Sequence, residues 1–148
     1  MNLSLKERCK PFGKFGITAL IIYYSILIVT TIYIGYDCIK NKMSEGLEVA
    51  FLALLIFNTC TLWKLDKRSF WITILTNISL ILFYGSVAAV SLFVNALVEA
   101  FESEVSVWGR FLEIFSGLST IFLLIFLVFI IVKREVFDFK GKSINMDE

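Results

Sequence analysis

Few side chains in this sequence have the means to do chemistry. Asn58 and Asn77 stand on opposite sides of a basic turn, KLDKR at residues 64–68, each within an otherwise apolar run. Helices leaving that turn in opposite directions rise about 1.5 Å per residue, which carries both amides to about the same depth. A hydrogen bond between Asn58 and Asn77 is therefore predicted, worth about 0.6–2 kcal/mol in an apolar surrounding. Such a pair can simply fix which helices lie side by side, or it can line a path for a polar solute; the residues leave both roles open. Four carboxylates form the second constellation. Glu48, Glu99, Glu102 and Glu113 all fall near the far ends of apolar stretches. Together they could make an acidic mouth that gathers cations, or each could be solvated at its own helix end. Glu48 and Glu113 lie a few residues inside their stretches and are the more interesting two.

Other chemistry is poorly provided for. The chain contains no histidine, which removes the commonest general base and the commonest metal ligand. No G-x-S-x-G, H-E-x-x-H, Walker loop or C-x-x-C occurs. No metal-ligand spacing is present, so no cofactor or metal is expected. Catalysis would fall to carboxylates, Lys or Tyr, and a non-catalytic protein is the expectation.

The elements that must position these residues are apolar helices. Hydrophobic residues make up 58% of the 148, and the mean hydropathy is +0.83. A soluble domain is about 45–50% apolar. Residues 114–132, IFSGLSTIFLLIFLVFIIV, contain no charge and no proline. About 20 such residues cross a hydrocarbon core about 30 Å thick. Three earlier stretches share this character. The predicted fold is all-α: an integral membrane four-helix antiparallel bundle with short loops, forming one domain. Its spans lie at about 15–36, 46–63, 70–98 and 111–132. Tails 1–14 and 133–148 flank them. The first stretch is longer than the apolar core of a signal peptide and no A-x-A site follows, so it reads as a retained span. Gly85-Ser86, midway along the third stretch, offers a place to bend.

Lys and Arg set the orientation. With both termini in the cytoplasm, eleven of the fourteen lie inside, and only Lys40, Lys42 and Arg110 lie outside. Lys64, Lys67, Arg68, Lys133 and Arg134 then form a cytoplasmic rim that meets lipid headgroups. Trp63, Phe70 and Trp71 flank the turn, as aromatic residues do at headgroup level. Cys38 falls in the outer loop, where it is a free thiol or could link two copies; Cys9 and Cys60 lie too far from it to pair. Small residues recur four apart, at Thr31 and Gly35, Gly85 and Ala89, and Ser116 and Thr120, which permits close helix approach.

The layout resembles that of a group of small prokaryotic membrane proteins with four spans. Lys10-Pro11-Phe12-Gly13, running into the first apolar stretch, is similar to their R-P-x-G-V start. The basic turn with tryptophan from Lys64 to Trp71 matches their centre. Arg134-Glu135-Val136-Phe137-Asp138-Phe139 is similar to their R-P-E-V-x-x-Y-F end, without the proline and with Phe in place of Tyr. The resemblance implies a four-span fold in a prokaryotic plasma membrane, and it implies no activity. The expected partners are the lipid bilayer and either a second copy or a larger membrane protein, with no nucleic acid. The expected role is an interaction or accessory subunit; the alternative is an oligomeric transporter of small solutes or ions.

Overall fold

The computed structural model of the chain describes residues 13–40, 46–101, 104–134 and 137. Among these residues there is no strand. Four α-helices follow in order: α1 Gly13–Lys40, α2 Gly46–Thr61, α3 Lys67–Ala100 and α4 Val107–Val132. A 3-10 turn, Leu62–Lys64, continues α2. α1, α3 and α4 have 28, 34 and 26 residues and are long and apolar enough to cross a membrane. α2 has 16 residues, about 24 Å of helix. The apolar runs predicted their helices well, and each long helix extends a few residues past its run. α3 runs through Gly85-Ser86, the place offered for a bend, as one unbroken helix.

Local chemistry fixes the ends. Gly13 opens α1 at φ 68°, a conformation glycine adopts without Cβ strain. α2 closes through Leu65, a left-handed residue at φ 48° whose N–H bonds the carbonyl of Leu62. Asp66 then caps α3, its Oδ1 accepting from the Ser69 N–H at 2.7 Å. The Ser69 hydroxyl donates to the Thr61 carbonyl at 2.6 Å, satisfying one of the acceptors orphaned at the end of α2. Ser106 caps α4, its Oγ accepting from the Gly109 N–H at 3.0 Å.

The chain divides into two compact units. The first takes in the described residues of Met1–Thr76 and Phe129–Glu148. Within it α1 and α2 run antiparallel: Asn58 meets Tyr23, Trp63 meets Tyr24, and Leu52 lies beside Gly35. The start of α3 runs antiparallel to α2, with Ser69 at Thr61 and Thr73 at Asn58. Phe137, after α4, packs on Phe70 at 5.4 Å. The second unit is Asn77–Val128. It is an antiparallel hairpin in which Asn77 meets Leu123, Tyr84 meets Phe115 at 6.1 Å, and Asn95 meets Gly109. Gly85 sits there opposite Thr120, and a Cβ added to it would lie 3.9 Å from the Thr120 methyl. Of the small residues spaced four apart on α3 and α4, Gly85 and Thr120 face each other, whereas Ala89 is exposed.

The interior holds polar residues while large apolar side chains lie outside. Ser69, Thr73, Thr76, Asn58 and Asn77 are all 0% exposed, whereas Phe15, Ile32, Leu82 and Val132 are between 67 and 76% exposed. Hydroxyls on the helices turn back on their own chain. Thr18, Ser25, Thr30, Thr31, Thr59, Thr61, Thr76, Ser116 and Thr120 each donate to the carbonyl four residues earlier. That bond lets a helix carry a hydroxyl where no water is at hand.

Candidate functional site

Each unit holds its own polar network. In the first, Asn58 is the hub. Its Nδ2 donates to the Tyr23 hydroxyl at 3.0 Å, and its Oδ1 accepts from the Thr73 hydroxyl at 3.0 Å. α1, α2 and α3 each contribute one member, so the network ties three helices at one level. All three side chains are 0% exposed. A buried amide satisfied on both ends is worth retaining, because each unmet polar group in an apolar interior costs about 1–3 kcal/mol.

Asn58 and Asn77, predicted to bond each other, fall in different units, and each has a partner within its own. Asn58 spends its amide group on Tyr23 and Thr73, and Asn77 donates to the Leu123 carbonyl at 3.0 Å within the second unit. Equal distance from the turn does not say in which direction each amide points around its helix. Asn77 Oδ1 is buried and has no hydrogen-bond partner among the described residues.

The second network lies at the α3–α4 end of its hairpin. Asn95, only 5% exposed, donates to the Gly109 carbonyl at 3.2 Å and to Glu113 Oε2 at 2.7 Å. Arg110 bonds the same Glu113 oxygen at 3.4 Å and makes an ion pair with Glu99. Gly109 makes room for this. A Cβ there would stand 2.8 Å from Asn95 Oδ1, closer than real side chains come.

The acidic mouth is changed accordingly. Arg110 pairs with both Glu99 and Glu113, and Asn95 donates to Glu113, so these two carboxylates are tied into one ion-pair cluster. Glu48 sits half-buried in the first turn of α2, in the first unit, with Oε2 buried and without a hydrogen-bond partner among the described residues. Glu102 lies outside the described residues. Lys64, Lys67, Arg68, Lys133 and Arg134 are all exposed and all belong to the first unit. Cys38, predicted in a loop and open to linking two copies, is instead in the last turn of α1, 2% exposed and free. Burial closes it to a second chain. Cys60 is free and exposed; Cys9 lies outside the described residues.

Tyr23, Thr73, Asn95 and Gly109 belong to these networks, and spacing alone did not single them out. Asn95 carried a usable signal: it is the one amide in the last third of the third apolar stretch, facing a carboxylate just inside the next. Among the described residues, no three His, Cys, Asp or Glu side chains come together to hold a metal. Polar groups here hold helices to one another, and two buried acceptors, Asn77 Oδ1 and Glu48 Oε2, are left over. Comparison of the chain with protein-family models, with curated proteins and with solved structures gives no match.

Proposed function

We propose that the chain is an integral membrane protein that crosses the bilayer four times, with both termini in the cytoplasm, and that it serves as a non-catalytic accessory subunit docked on a larger membrane complex. The observation that carries this reading is the outward apolar surface. Of the most apolar stretch of α3, only 11% is buried, and Leu82, Val90, Leu92, Phe93 and Leu97 lie exposed along it. Lipid accepts such a face, and so does a helix of another protein. α2 is the fourth span. Its 16 residues and the three of the 3-10 turn together reach about 30 Å, the thickness of a hydrocarbon core. A layout that resembles small prokaryotic four-span proteins supports a placement in a plasma membrane.

Pull-down from native membranes in mild detergent, at native expression and with the complex mass measured, tests the accessory role. A stoichiometric foreign partner supports it, and a homo-oligomer without one refutes it. A second reading, an oligomeric transporter of small solutes or ions, draws on the two unpartnered acceptors. It expects flux in liposomes that falls in Glu48→Gln or Asn77→Leu.

A further inference from the structure

Among the described residues, Arg110, Lys64, Arg68, Lys133 and Arg134 are exposed cations of two kinds. In the second unit, Arg110 is held by Glu99 and Glu113. In the first unit, Lys64, Arg68, Lys133 and Arg134 are exposed and carry no ion pair among the described residues. Packing brings them to one end. Lys64 and Arg68 bracket the tight turn from α2 to α3, which the Asp66 cap and the Ser69–Thr61 bond hold in shape. Phe137 packs on Phe70, so the residues that follow α4 return to the start of α3 and bring Lys133 and Arg134 to the turn. Asp66 is the one described acid at this end, and its Oδ1 is engaged by the Ser69 N–H. Aromatic rings lie just beyond the cations: Trp63 edge-on to Tyr24 at 5.5 Å, and Trp71, 68% exposed, edge-on to Phe70. Leu75, one turn on from Trp71, is 56% exposed. The sequence of features along this face is therefore unpaired cations, then amphipathic rings, then bare apolar helix. A phospholipid has the same order of phosphate, glycerol backbone and acyl chain.

We propose that this end of the first unit is a selective binding site for an anionic phospholipid, with Arg68, Lys133 and Arg134 on its phosphate and the Trp71–Leu75 face against an acyl chain. The proposal rests on the reading that the chain lies in a membrane, and it goes further in requiring retention of a particular headgroup charge. Each cation near an anionic lipid surface contributes roughly fivefold in occupancy. Loss of three should lower retention by up to roughly a hundredfold on the same scale.

The test uses the full chain reconstituted in vesicles of phosphatidylcholine with a minor share of phosphatidylglycerol. Flotation first reports whether the chain inserts; after gentle extraction, native mass spectrometry reports which lipids stay bound. The expected result is insertion of every variant and enrichment of phosphatidylglycerol on the wild type well above its share. Arg68→Gln/Lys133→Gln/Arg134→Gln loses that enrichment, and Arg110→Gln, at the other kind of cation, keeps it. Insertion with no enrichment on the wild type, or with equal enrichment on the triple variant, overturns the lipid site and leaves the membrane reading standing. Failure to float overturns both.

Discussion

Replacing Asn58 and Asn77 each by Leu should have unequal consequences, although both are fully buried amides flanking one turn in the sequence. Asn58→Leu removes two side-chain hydrogen bonds, to Tyr23 and from Thr73. Bonds of this kind between membrane helices average about 0.6 kcal/mol and reach about 1.7. Thr73 can turn its hydroxyl to the carbonyl four residues back, as the other helix threonines do, so part of its loss is recovered. The expected destabilisation is about 1–3 kcal/mol. Asn77→Leu removes one bond, to a Leu123 carbonyl that also sits within the helix ladder, and at the same time removes the unpartnered Oδ1. An unmet buried acceptor costs about 1–3 kcal/mol, so the two terms nearly cancel and the net lies near zero. Leu is bulkier than Asn at both sites, and that repacking cost largely drops out of the comparison. Unfolding equilibria in nanodiscs by steric trapping measure both variants. A cycle adding Tyr23→Phe should show a coupling of about 0.6–1.7 kcal/mol with Asn58→Leu and none with Asn77→Leu. Asn77→Leu proving as costly as Asn58→Leu, or a vanishing Tyr23–Asn58 coupling, would refute the reasoning.

Three further outcomes follow from the second unit. Gly109→Ala should lower stability by about 1–3 kcal/mol, because its Cβ displaces Asn95 from both Gly109 and Glu113; thermal unfolding in detergent should show little added loss when Asn95→Leu is combined with it. Arg110→Gln should cost only about 0.2–1 kcal/mol, since Arg110 and Glu99 are 49 and 52% exposed, and the loss should shrink with added salt. Gly85→Ala should be tolerated, because its Cβ meets the Thr120 methyl at 3.9 Å, an ordinary contact. Gly85→Leu should push α3 and α4 apart, read as a loss of disulfide formation between cysteines introduced at Ala88 and Ser116.

The extent of the helices was legible in the sequence because a continuous apolar run has a length, and length is what the structure reproduces. α3 begins at Lys67 and α4 stops at Val132, where charges interrupt the runs. What the sequence concealed was rotation. In a water-soluble helix the apolar stripe announces which face turns inward. Here both the interior and the exterior are apolar, so nothing in the pattern around Asn58 or Asn77 said where either pointed. The two amides were found, and their partners were not. Nothing in the sequence marks Tyr23 as the partner of Asn58, or Arg110 as the partner of Glu99 and Glu113. Asn95 and Gly109 become informative only once the hairpin sets residue 95 beside residue 109.

The claim on which the rest depends is that α2, the shortest helix, crosses the membrane. Met43→Cys and Lys67→Cys, placed before and after it in a background with Cys9, Cys38 and Cys60 changed to Ser, can be labelled in spheroplasts with an impermeant maleimide. The account predicts that Met43→Cys reacts in intact spheroplasts and Lys67→Cys only after permeabilisation. Reaction of both from the same side would mean that α2 does not span, and would contradict the four-span topology.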